Sequence, residues 1–282
     1  MLSPRGLLLV TAEPEQAAFE AERDQLGLEE IPLERARALW PILGDGVVRA
    51  AFSDETLDLD TDRLLQGFLR EARAAGAEIV TGAPVTAIRR TGEGWRVETP
   101  KGAFSGGRLV NAAGAWADRV AAMAGLPPIG LRPLRRSMAR IPAPMDPSAW
   151  PMVEGAGESW YMKPDAGALI VSPCDEDPME PHDAWADDMV LAEGLARFEA
   201  HAAMEVTRLL ASWAGLRSFA PDRRLVIGPD PLEPAFLWCA GQGGYGFQTA
   251  CAASRLLAET AGGEGAGLEA GIAAALSPAR FR

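Results

Sequence analysis

Residues Phe236 to Leu257 constrain this chain most tightly. An apolar run, Phe236-Leu237-Trp238-Cys239-Ala240, passes into Gly241-Gln242-Gly243-Gly244-Tyr245-Gly246, and the loop opens a helical pattern from about Phe247 to Thr260. Four glycines in six residues exceed what a tight strand-to-helix turn, the plainer alternative, needs. Where no Cβ stands in the way, backbone can approach a ligand closely. The helix that follows aims unpaired amides and the positive end of its dipole at whatever the loop holds. Strand, glycine loop and helix in this order describe a ligand cradle in an α/β layer.

A second segment has the same grammar. Arg108 to Ala112 reads as a buried strand, and its end, Ala112-Ala113-Gly114, opens a helix from about Trp116 to Ala124 that Gly125 stops. Small side chains there admit a cofactor, although close helix–strand packing explains them nearly as well.

The remaining pattern is mixed. Gly6 to Ala12 reads as a strand, since its apolar part is too short for a signal peptide and breaks at Glu13-Pro14. Asp60 precedes an amphipathic helix with Leu64, Leu65, Phe68, Leu69 and Ala72 on one stripe. Glu78 to Thr81 reads as a short strand. Val85 to Arg90, Trp95 to Thr99 and Ala103 to Val110 form a meander broken by glycine turns. Leu131 to Ile141 and Tyr161 to Ser172 read as strands joined by a proline-rich loop. A helix from Asp188 to about Leu210 follows, then short strands at Trp213 to Phe219 and Leu225 to Ile227, and a flexible stretch at Gly262 to Gly267. The expected fold class is mixed α/β (α+β), with two domains interleaved along the chain. Residues 58–130 and 226–282 form one; residues 1–57 and 131–225 form the other, around a mixed or antiparallel sheet.

Composition excludes several function classes. Of 282 residues, 48% are apolar and 23% charged, which suits a globular core. A net charge of −12 repels phosphate backbones, so nucleic acid is not an expected partner. Cys174, Cys239 and Cys251, with His182 and His201, match neither a zinc site nor a disulfide framework. No metal is expected, and this cysteine usage fits a reducing cytoplasm. No run of about 18 apolar residues exists, so no integral membrane helix is expected.

Several separated words together resemble the D-amino-acid oxidase family of flavoproteins, which includes glycine oxidase and sarcosine oxidase. They are Val110 to Ala117 (VNAAGAWA), Tyr161 to Pro164 (YMKP) with Leu169 to Pro173 (LIVSP), Trp213 to Arg217 (WAGLR), Pro221-Asp222 with Ile227-Gly228, and Ala240 to Thr249 (AGQGGYGFQT). They stand in the family's order and span nearly the whole chain. The resemblance implies an FAD-binding domain of Rossmann type interleaved with a substrate domain. It places Gly241, Gly243, Gly244, Tyr245, Gly246, Phe247 and Gln248 against the flavin ring and ribityl chain, Val85 at the adenine end, and Ala112, Ala113 and Gly114 beside the cofactor. It makes Arg217 the clamp on a substrate carboxylate, where a planar fork of donors fits, with the Tyr161 hydroxyl sharing that carboxylate. The plainer reading of Arg217 is an ion pair with Asp222 or Asp230; that of Tyr161 is an edge-strand aromatic. No cysteine lies in Trp213 to Phe219, so FAD is expected to be non-covalent.

The implied reaction removes a hydride from the α-carbon of an amino acid or related amine to FAD, with later hydrolysis of the imine. Oxygen or another acceptor reoxidises the cofactor, and no side-chain base is required if the amine binds neutral. A 2-hydroxy acid or another amine is the alternative substrate, and a non-catalytic fragment or subunit is the alternative protein. The chain departs from the family at one point. No Gly-x-Gly-x-x-Gly follows a strand and opens a helix, so the dinucleotide unit that holds the pyrophosphate is missing from the expected FAD domain. Strands Arg108 to Ala112 and Phe236 to Ala240 are each expected to show an unpaired edge. The expectation is that this polypeptide alone holds FAD poorly, being a truncated product or one half of a split enzyme whose second chain supplies that unit.

Overall fold

The computed structural model of the chain describes residues 1–262, 267 and 270–282. In chain order the elements begin with β1 (Leu2–Pro4), β2 (Leu7–Thr11), α1 (Gln16–Leu26), β3 (Glu29–Ile31), α2 (Leu33–Leu39), β4 (Arg49–Ser53) and β5 (Leu57–Leu59). Then come α3 (Thr61–Ala74), β6 (Ala87–Arg90), β7 (Trp95–Thr99), β8 (Gly102–Gly106), β9 (Leu109–Asn111) and α4 (Ala117–Met123). The chain continues through β10 (Arg132–Pro142), β11 (Met152–Gly155), β12 (Trp160–Asp165), β13 (Ala168–Ser172), α5 (Asp188–His201) and β14 (Ala211–Phe219). It ends with β15 (Val226–Pro229), β16 (Phe236–Ala240), α6 (Gly246–Gly262) and α7 (Ala270–Leu276). Two compact units result. The first comprises Met1–Asp60, Arg135–Asp177 and Asp183–Gly215; the second comprises Thr61–Leu134, Pro178–His182 and Leu216–Arg282.

The first unit is organised by a sheet of order β14-β10-β13-β12-β11-β2-β4-β3. Side chains alternate across such a sheet with a period of two. Val153, Trp160, Met162, Leu169 and Val171 therefore share one face, and all are buried in a core with Trp40, Ile141 and Phe198. The Trp160 ring stands edge-on to Phe198 at 5.4 Å and tilted to Trp40 at 6.1 Å. Gly155 is glycine because a Cβ there would lie 2.3 Å from Trp160 Nε1. The opposite residues, Met152, Glu154, Tyr161 and Lys163, are half-buried.

Helix α5 starts where Asp187 accepts hydrogen bonds from the amides of Met189 (2.9 Å) and Val190 (3.2 Å). It was expected to reach Leu210 but ends at His201. There Gly44 donates its amide to His201 O at 2.8 Å, and Ala202 turns extended to bridge Leu43. Asp187→Ala leaves two first-turn amides without an acceptor, and we expect about 1 kcal/mol of lost stability, read as a lower urea midpoint at unchanged slope.

The second unit holds a sheet of order β15-β16-β9 and a meander β6-β7-β8. β16 runs parallel to β9 and antiparallel to β15. Trp95, Phe236 and Trp238 lie at the centre of its core.

Several sequence expectations need correction. β16 has no open edge, because it is paired by β15 and β9; of the two strands expected to show an unpaired edge, β9 does. β9 is buried only at Asn111, and Val110 is 46% exposed. Glu78 to Thr81 is not a strand, because no segment among the described residues forms a ladder with it. Ala103 to Val110 breaks into β8 and β9. Tyr161 to Ser172 is a hairpin turning at Ala166-Gly167, both at positive φ (45° and 77°). The proline-rich loop hides β11. The stretch at Gly262 to Gly267 falls largely outside the described residues.

Candidate functional site

The glycine loop of the second unit has two parts. Gly241 and Gly243 adopt positive φ (68° and 53°). A Cβ on Gly241 would lie 3.2 Å from Arg224 O, and one on Gly243 would lie 2.6 Å from the Phe219 ring. The Gly243 amide also donates to Ser218 O at 2.9 Å. These two glycines are required by packing of the loop on its own unit. Gly244 and Gly246 instead face a groove. A Cβ on Gly244 would lie 2.9 Å from Arg217 Nη1, so its absence makes room for the guanidinium.

The groove has a volume of about 820 Å3. Helix α3 contributes Leu64, Leu65 and Phe68, α6 contributes Phe247 and Ala250, and the floor is Ala112 at the end of β9 with Gly243, Gly244 and Gly246. Arg217 and Gln242 are its polar members. Phe68, Leu65 and Phe247 are 40–52% exposed, an apolar surface left open to a ligand. An adjoining pocket of about 310 Å3 shares Phe68, Ala112, Gln242, Gly246 and Ala250 and reaches Cys239. Burial pushes the Cys239 thiol up, which keeps it neutral and unreactive.

Arg217 has no carboxylate partner among the described residues. Asp222 and Asp230, the alternative partners in sequence, are paired by other arginines. Arg280 Nε donates to Asp222 Oδ2 at 2.8 Å, and Arg282 Nη2 to Asp230 Oδ2 at 2.9 Å. Arg280 accordingly holds the Asp222 carboxyl below its ordinary range. Burial pushes Asp230 up, but bonds from the Trp238 indole, Arg282 and the Leu232 amide overcome it and hold the carboxyl low.

Of the residues expected at the cofactor, Ala112, Gly243, Gly244, Gly246 and Phe247 line this groove with Arg217. Gly241 is buried beneath it; Tyr245 and Gln248 are exposed beside it on the loop and first turn of α6. Ala113 and Gly114 follow Ala112 off the groove wall, with open space where a Gly114 Cβ would stand. Val85 is exposed ahead of β6 and is not a lining residue. Tyr161 belongs to the first unit. It stands on an interior strand, not an edge, and its hydroxyl donates to Met138 Sδ at 3.3 Å. The α3 wall is not legible in the sequence, because an apolar stripe reads as core whether it faces core or groove. Ala250, within α6, carries no local signal either.

Among the described residues no cluster of three His, Cys, Asp or Glu could hold a metal ion, and no helix is long and apolar enough to cross a membrane. The groove's donor set suits a flat, largely apolar ring: backbone at Gly244 and Gly246, an apolar wall on either side, and the amino-terminal end of the 17-residue α6.

Mitochondrial dimethylglycine dehydrogenase of Homo sapiens is 27% identical over 237 residues, covering 76% of this chain and 27% of that protein. Sarcosine oxidase subunit beta of Rhizobium meliloti is 26% identical over 261 residues, covering 86% of this chain and 61% of that protein. The chain thus spans between a quarter and two thirds of the length of these two relatives. L-proline dehydrogenase from P. horikoshii shares the fold, with a TM-score of 0.84 at 23% identity, covering 100% of this chain and 77% of that one. The family described as "DAO: FAD dependent oxidoreductase" matches residues 1–260, and the chain belongs to that family.

Proposed function

We propose that this protein acts in the FAD-dependent oxidation of an amino acid or related amine, with Arg217 as the anchor for the substrate carboxylate. The observation that carries this is the guanidinium of Arg217, lodged over Gly244 at the groove with no carboxylate of its own. A planar fork of donors left without an acceptor fits a ligand carboxylate bidentately.

Bound FAD would supply the two-electron acceptor, taking a hydride from the α-carbon. The chain's residues supply position. Gly244 and Gly246 let the ring lie against backbone, Leu65, Phe68 and Phe247 exclude water from its faces, and Arg217 fixes the substrate's acid end. Holding the reacting atoms in place accounts for much of such a rate enhancement. The two histidines take no part in the groove. His201 is buried in the first unit against Glu15 at 3.1 Å, and His182 does not line the groove.

Steady-state turnover of glycine, sarcosine, D-amino acids and 2-hydroxy acids by the protein, purified with any chain that accompanies it, tests this reading. Oxidation of at least one amine is expected. Turnover of 2-hydroxy acids with none of the amines would replace it with the reading as a hydroxy-acid dehydrogenase, which the same arginine would serve.

A further inference from the structure

In the second unit, two glycines of the loop each leave space for one polar side chain of the groove. Gly244 does so for Arg217, and Gly246 does so for Gln242. A Cβ on Gly246 would lie 3.3 Å from Gln242 Cβ and 4.0 Å from its Cγ. Gln242 lines the larger pocket, which Arg217 also lines, and the adjoining pocket that reaches Cys239. Its amide therefore stands where the two meet.

The loop does not need this side chain for its own structure. Its turns are closed by backbone: Tyr245 N donates to Gln242 O at 3.0 Å, and Gly243 N to Ser218 O at 2.9 Å. Among the described residues the side chain makes one hydrogen bond, from Nε2 to Cys239 Sγ at 3.7 Å. Burial keeps that thiol protonated, so the sulfur is a weak, uncharged partner that orients the amide. A carboxamide carries two N–H donors and a carbonyl. With one N–H on sulfur, the other N–H and Oε1 remain for the groove.

The walls around them are apolar: Leu64, Leu65, Phe68, Phe247 and Ala250 offer no side-chain bond. While the groove is open, solvent reaches the half-buried amide. A flat ligand that covers the groove shuts solvent out, and an amide left with nothing to bond then weakens binding. A ring whose edge carries an N–H beside a carbonyl, as a cyclic imide does, satisfies both free groups at once.

We propose that Gln242 is a specificity-determining residue that pairs with the cyclic imide edge of the bound ring, Oε1 accepting from the imide N–H and the free N–H donating to the adjacent ring carbonyl. Cys239 is the positioning residue that holds the amide for this pairing. The proposal rests on the reading of the groove as a flavin site, and a flavin ring carries that imide edge. A heterocycle of similar size without it leaves the amide unpaired and is bound less tightly.

The test uses the full protein and the bare ring: lumiflavin, and lumiflavin methylated at the imide nitrogen, which has no N–H there. Binding is followed by quenching of ring fluorescence. The wild type is expected to bind lumiflavin about tenfold more tightly than the methylated ring, the loss of one hydrogen bond with its acceptor left unpaired. Gln242→Leu is expected to weaken lumiflavin by about the same factor and to remove the preference between the rings. Gln242→Glu keeps an acceptor and is expected to retain the preference. Cys239→Ala should reduce the preference and Cys239→Ser restore it, a pattern that simple loss of packing does not produce. Circular dichroism and melting identify the variants that fold. Equal binding of the two rings by the wild type would overturn the proposal without recourse to any variant. So would a folded Gln242→Leu protein that keeps the wild-type preference. In both cases lumiflavin still binds and only this inference fails. A wild type that binds neither ring removes the flavin reading of the groove, and this inference with it.

Discussion

Arg217→Met is expected to lower kcat/KM for a carboxylate-bearing amine about a hundredfold while leaving the melting temperature within a few degrees of the wild type. A charged hydrogen-bonded contact contributes about 1.5–3 kcal/mol, and 3 kcal/mol corresponds to roughly a hundredfold in affinity. Stability should change little, because Arg217 forms no ion pair among the described residues that the substitution would break. Methionine preserves length and apolar stem. Lysine keeps the charge but loses the planar fork, so Arg217→Lys should recover only part of the activity. Equal losses for an amine with and without a carboxylate would argue against the anchor and for a general disturbance of the groove. The measurement is steady-state kinetics on such a matched pair, alongside thermal melting.

Two neighbouring glycines are expected to fail in opposite ways. Gly243→Val places a β-branched residue at φ 53° with its Cβ 2.6 Å from the Phe219 ring. Left-handed backbone costs about 1–2 kcal/mol for an ordinary residue, and overpacking adds about 1–3 kcal/mol. The variant should be destabilised severely. Gly244 does not carry a positive φ, so Gly244→Val is compatible with the backbone. Its side chain meets the Arg217 guanidinium at the groove floor, a flexible group that can swing aside. That variant should fold and lose the cradle.

This contrast also marks how much of the site could be read from residue order. The glycine loop was legible as a ligand contact because strand, loop and helix each have a local signature. The division of labour within it was not. A glycine required by φ and one required by clearance are the same letter, and only the positions of Phe219 and Arg217 separate Gly243 from Gly244. Strand Phe236–Ala240 was legible to within one residue as an apolar run before a glycine. Its place in the middle of the sheet was not, because β15 pairs with it through Val226–Pro229, a short segment with a glycine inside it. Val110 read as buried because an apolar run carries no sign of whether anything covers it. The hairpin within Tyr161 to Ser172 was hidden because Ala166 takes a conformation that its residue type disfavours. Strand Met152–Gly155 was hidden because it is four residues long and lies in a connection that Pro142, Pro144, Pro147 and Pro151 mark as loop.

If the groove over Gly244 and Gly246 holds the flavin, the amount of FAD bound should depend on the clearance at Gly244. The protein is purified without denaturation, together with any chain that accompanies it, as wild type and as Gly244→Val, and bound FAD is measured from visible absorbance after gel filtration. Flavin is expected in the wild type and lost from Gly244→Val, with circular dichroism and melting temperature retained. A folded Gly244→Val protein that keeps the wild-type flavin content and spectrum would contradict it.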